Sequence, residues 1–127
     1  MTAKTCVVAA LFCVSISAMA QDAGLYSGTW KAELTGPRGL PLEGKVTLAE
    51  GNGTWDFTTY TSNRNDPCAG RASPITVTLA TPAELVVEVT RSKVLTGCSD
   101  FVAKLKRVDD KTLEGDVSGY KLKLARQ

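Results

Sequence analysis

The chain has 127 residues, with 15 Lys and Arg against 13 Asp and Glu, no His, and 43% hydrophobic residues. That length fits one domain around a modest core, and a formal charge of +2 gives no electrostatic case for nucleic acid. With no His, the commonest general base is missing, and of the four Cys only Cys68 and Cys98 lie beyond the first twenty residues, short of the four nitrogen or sulfur ligands a structural zinc site wants.

The first twenty residues read as a secretory leader. Lys4 gives a positive start, residues 7–16 supply an apolar stretch, and Ala18-Met19-Ala20 is a small-x-small cleavage site. The stretch is well short of the roughly 20 residues a spanning helix needs. A lipoprotein cut at Cys13 would place the bulky Phe12 where small residues are expected. The expected organisation is therefore a signal peptide over residues 1–20 and a single domain over 21–127, exported to the periplasm or beyond the cell. Losing residues 1–20 removes one Lys and no acid, so the formal charge falls from +2 to +1.

From Tyr26 onward, apolar and polar residues alternate in about eight short runs, the pattern of antiparallel strands around one core. The first strand, over 25–34, points Trp30, Ala32 and Leu34 inward, and a loop with two Gly and two Pro follows. The second, over 43–50, turns Val46 and Leu48 inward. Gly51-Asn52-Gly53 is then expected to form a tight hairpin, since Asn and Gly tolerate positive φ. The third, over 54–60, contributes Trp55 and Phe57, and the longest loop spans 61–72. The fourth, over 73–80, offers Ile75, Val77 and Leu79, and the fifth offers Leu85, Val87 and Val89. The sixth presents Phe101, Ala103 and Leu105. A turn at Asp109-Asp110-Lys111 leads to the seventh, over 112–117, and Ser118-Gly119 leads to the last, with Tyr120, Leu122 and Leu124 on one face.

Eight strands with mostly tight connections predict an all-β, up-and-down antiparallel barrel, whose closure removes exposed edges. A two-sheet β-sandwich is the alternative. In the up-and-down order the loops after strands one, three, five and seven share one end. Cys68 falls in the third loop and Cys98 in the fifth, so the two can meet across one rim. In an oxidising compartment they are expected to pair, and on the chain-entropy account the closed loop of about 30 residues adds about 3 kcal/mol. Two free buried thiols would be the other arrangement. The same rim collects Arg38, Arg64, Arg71, Arg91 and Lys93, against chiefly Asp66 and Asp100, while the opposite end carries Glu50, Glu84, Asp109 and Asp110. A basic mouth that attracts an anion or a partner is one reading; ordinary solvation of loops is the other.

Gly28-Thr29-Trp30, opening the first strand of an exported eight-stranded barrel, resembles the Gly-x-Trp start of the calycin-like lipocalins and avidins. The hairpin around Gly51-Asn52-Gly53 and the closing Leu122-Lys123-Leu124-Ala125-Arg126 are similar to that layout too. The resemblance implies that Trp30 closes the barrel floor and that the interior can hold a small ligand; avidin's polar ligand contacts have no counterpart here. In size, single disulfide and early Gly-x-Trp the chain also resembles small periplasmic inhibitors of metalloproteases. That likeness implies action through a terminus and loops, here residues 21–24 and 61–72.

No catalytic residue is assigned. Glu114 and Asp116 lie two apart on one strand and so share a face, but beside the inward Leu113 they are expected to face solvent. Asn52-Gly53-Thr54 has the pattern of a glycosylation acceptor, which the hairpin explains equally well. The expectation is a non-catalytic binding or interaction module with no cofactor, metal or nucleic acid. A carrier would hold an apolar small molecule among Trp30, Trp55, Phe57, Phe101 and Tyr120. An inhibitor would use the rim of the two cysteines. The room inside the barrel separates the two, since an interior this narrow holds either packed side chains or one small ligand.

Overall fold

A computed structural model describes residues 22–36, 41–57, 68 and 71–127. The expected leader, Gln21, Arg38, Arg64, Asp66, and residues 58–67 lie outside the described residues. Eight strands form one closed antiparallel barrel in chain order. They are β1 (Gly28–Thr35), β2 (Pro41–Leu48), β3 (Asn52–Asp56), β4 (Ser73–Ala80), β5 (Glu84–Val89), β6 (Phe101–Asp109), β7 (Thr112–Val117) and β8 (Tyr120–Arg126). The seam is the β1–β8 ladder, which runs from Trp30 opposite Arg126 to Thr35 opposite Lys121. The barrel is thus the observed form and the sandwich is not.

Alternation places the core as the sequence implies. Trp30, Ala32, Val46, Leu48, Ile75, Leu85, Val87, Val89, Ala103, Leu105, Leu113, Leu122 and Leu124 point inward and are buried in one cluster. Size is matched across the interior: Phe57 lies flat on Gly44, where an added Cβ would sit 2.5 Å from its ring. Small residues beside large ones let a narrow cylinder fill without strain.

Four expectations need correction. Residues 23–26 form a 3-10 turn, Ala23–Tyr26, so β1 starts three residues later than predicted. Tyr26 and Ala23 are buried in that turn, which a continuing strand would not allow. The second hairpin turns two residues earlier than expected, over 49–51 in place of 51–53. Ala49 N–H donates to the Asn52 carbonyl at 2.8 Å, Gly51 takes φ +80°, and Asn52 and Gly53 already belong to β3. Glycine at 53 answers a different need, because a Cβ there would lie 2.2 Å from the Thr47 carbonyl oxygen. In β4 a bulge between Val77 and Leu79 shifts the register, so Ala80 takes the inward place and Leu79 is only half-buried. Tyr120 is 40% exposed. It sits beside the Ser118-Gly119 turn, where φ is +48° and +84°, and its ring packs over Gly36 instead of entering the core.

Gly115 lets β7 lie close against β6. It takes an inward position in β7 between Leu105 and Leu122, and a Cβ there would fall 1.9 Å from the Lys104 carbonyl oxygen. Backbone, unlike a flexible side chain, cannot move aside. Gly115→Ala should therefore destabilise the barrel by about 1–3 kcal/mol. Thermal unfolding followed by circular dichroism should show a Tm lowered by at least about 4 °C; an unchanged Tm would mean that β6 and β7 can part at no cost.

Candidate functional site

The two ends of the cylinder are built differently. At one end, the floor, meet the 3-10 turn and the connections after β2, β4 and β6. Arg126 organises it. Its Nη1 donates to the Ser27 carbonyl at 2.6 Å, Nη2 to the Leu25 carbonyl at 2.6 Å and Nε to the Asp110 carbonyl at 3.1 Å. Its guanidinium lies 4.3 Å from the centre of the Trp30 ring, a cation–π geometry. The Trp30 indole N–H in turn donates to the Tyr26 carbonyl at 2.8 Å. Burial pushes the Tyr26 phenol above its ordinary value, so it stays protonated and donates to the Thr81 carbonyl. Arg107 completes the floor with bonds to the Pro82 carbonyl and the Asp110 carboxylate. Glu50, Glu84, Asp109 and Asp110 do lie at this end, but two arginines stand among them.

The other end carries the disulfide. Cys68 and Cys98 are joined with Cα atoms 5.8 Å apart, as the up-and-down order requires. Three of the five predicted aromatic residues gather beneath it. The Trp55 and Phe57 rings lie 4.6 Å apart, and Trp55 meets Phe101 edge-on at 5.1 Å. Trp55 and Phe57 are each 7% exposed and Phe101 is half-buried, as are the nearby Leu34 and Leu42. Solvent access thus rises toward this mouth. Trp30 belongs to the floor, near the opposite end, and Tyr120 lies outside the core, so the five do not line one cavity.

Of the predicted basic rim, Arg71 and Lys93 are exposed. Arg91 is committed locally: its Nε donates to the Ser99 carbonyl at 2.8 Å and its guanidinium lies 5.4 Å from the Phe101 ring centre. Beside it, the Ser92 N–H and hydroxyl each donate to Asp100 at 2.9 Å. Sequence reading grouped Asp100 with the rim charges but missed this clasp, because its partner lies eight residues away across the 3-10 turn Arg91–Lys93.

In the N-terminal segment implied for an inhibitor, Ala23 is buried on the floor, while residues 61–67 of the other candidate loop lie outside the described residues. Glu114 and Asp116 face solvent on β7. Ser73 is the buried polar side chain among the described residues, and no cluster of three or more His, Cys, Asp or Glu there is placed to hold a metal. No described helix is long and apolar enough to cross a membrane.

Among solved structures, the chain is similar to a redesigned β-barrel, with a TM-score of 0.54 and 24% identity over 87% of this chain and 99% of that one. At that identity the likeness speaks to the fold alone. No protein-family model and no curated protein matches the chain.

The two bonds from Ser92 hold the Asp100 carboxyl below the ordinary aspartate range. A depressed folded pKa adds stability above the unfolded value of roughly 4 and loses it as the pH falls through the folded value. Ser92→Ala should raise the Asp100 pKa in an NMR titration and shift loss of the clasp to higher pH. The Ser92 N–H bond survives this substitution, so an Asp100 titration that ignores Ser92→Ala would remove only the hydroxyl bond as a cause.

Proposed function

We propose that this chain is an exported, non-catalytic interaction module that engages a protein partner through its disulfide end. The observation that carries this reading is the packed interior. Among the described residues, the inward side chains from the floor to mid-barrel are sealed from water by one another, which leaves them no room for a guest. Binding then falls to the surface. The mouth offers half-buried apolar groups, the exposed cations Arg71 and Lys93, and connections stapled by the disulfide. The leader-like residues 1–20 support export, and the buried Tyr26 phenol is committed to the Thr81 carbonyl.

A carrier of lipocalin or avidin type is the second reading. It is favoured by the rise in exposure at Trp55, Phe57 and Phe101, and by Trp30 closing the floor as the Gly-x-Trp resemblance implies. A shallow apolar guest would sit at the mouth, not at the barrel's centre.

Native mass spectrometry of the mature protein purified from its own host separates them. The expected result is a complex with a second protein. Arg71→Glu with Lys93→Glu should weaken that complex at least about tenfold, the effect of about 1.4 kcal/mol, with the circular dichroism spectrum retained. A bound small molecule that is lost in Trp55→Ala would instead establish the carrier. A protein complex indifferent to both charge reversals would place the contact away from this rim.

A further inference from the structure

Side chains on the outer wall over β5, β6, β7, β8 and β1 border an open groove of about 770 Å³. Its charges run in stripes along the strands. Glu114 and Asp116 on β7 form a central acidic stripe, flanked by Lys104 and Lys106 on β6 and by Lys121 and Lys123 on β8. Glu84 on β5 and Glu33 on β1 follow on the outside. The ladder register aligns Glu33, Lys123, Glu114, Lys106 and Glu84 in one row across five strands, so the sign changes at every strand.

Alternating charge on neighbouring strands can serve the sheet itself through lateral pairs. Here none of these eight groups closes an ion pair within 4.0 Å; among the described residues such pairs form at Lys31 with Glu43 and at Arg107 with Asp110. The charged ends are instead presented outward. Four cations balance four anions, so the groove has no net attraction for a polyanion or a polycation. What it matches is a surface whose charge alternates at the spacing of strands, about 4.8 Å. An extended peptide repeats on one side at about 6.8 Å and a helix at 5.4 Å per turn. Another sheet has the same pitch.

We propose that this striped wall is a self-association surface, and that its partner is a second copy of this chain. A two-fold axis parallel to the strands and offset by half a strand spacing from β7 lays the β7 carboxylates of each copy over a lysine strand of the other. With β8 as that strand, Glu114 faces Lys123, Asp116 faces Lys121 and Lys106 faces Glu33, each pair occurring twice. The same axis keeps the facing strands parallel in direction, while the tilt of strands to a barrel's axis splays the two disulfide ends apart. This inference uses a different face from the proposed partner site and stands or falls separately.

Sedimentation equilibrium of the mature protein tests it. The expected result is a monomer–dimer equilibrium at low ionic strength whose dissociation constant rises at least about tenfold toward 1 M salt, where screening reaches about 3 Å. Glu114→Lys with Asp116→Lys should abolish self-association. Mixing that variant with Lys121→Glu/Lys123→Glu, or with Lys104→Glu/Lys106→Glu, should restore a heterodimer through β8 or β6 respectively. Glu114→Gln with Asp116→Asn is the milder variant should reversal unfold the barrel, and it too should be monomeric. A wild-type chain that stays monomeric at low salt and millimolar concentration would overturn the proposal, as would a dimer untouched by these substitutions.

Discussion

The seam between β1 and β8 is the constraint on which the rest of the structure depends. A sheet becomes a barrel only when its first and last strands pair, and here the pairing ends at Trp30 opposite Arg126. At that point the guanidinium, held over the indole, also gathers the carbonyls of Leu25, Ser27 and Asp110. Charged donors make the stronger class of hydrogen bond, and the half-buried site limits competition from water. One side chain thus joins the last strand to the start of the first, to the turn that plugs the floor, and to the connection after β6.

Closing one end in this way sets the character of the other. Eight strands enclose a narrow cylinder, and with Trp30, Tyr26 and the leucines of β5 to β8 filling its lower part, solvent access is left to the mouth. The mouth is held by different means. The disulfide ties Cys68 to Cys98, the Ser92–Asp100 clasp orders the connection after β5, and the Trp55, Phe57 and Phe101 rings pack beneath. The outside of this barrel has two distinct faces: an aromatic and basic rim, and a charge-striped wall.

Glycine has two separate uses in this barrel. Gly51 and Gly119 supply positive φ at hairpins, which the residue types flanking them announce in the sequence. Gly44 and Gly115 sit inside strands, where they leave space for Phe57 and for the Lys104 carbonyl. Nothing local marks the second pair, since the neighbour that needs the space comes from another strand.

Much was legible from the residues in order. Period-two alternation fixes which side chains turn inward, so β4 and β7 begin and end where predicted, and Leu85, Val87, Ala103 and Leu105 are buried as expected. Strand parity alone put Cys68 and Cys98 on one rim. The misplaced residues share one cause: their positions are decided by contacts distant in sequence. Tyr26 leaves the strand pattern to reach Thr81, Leu79 turns aside at a bulge against β5, Tyr120 covers Gly36, and Trp30 and Trp55 lie near opposite ends of the interior. The sequence by itself determined the number of strands, their faces and the pairing of the cysteines, because these follow from local alternation and chain order. Only the tertiary structure decided that the floor is sealed, that the aromatic residues divide between the ends, and that the outer charges align in stripes, because these depend on interstrand register.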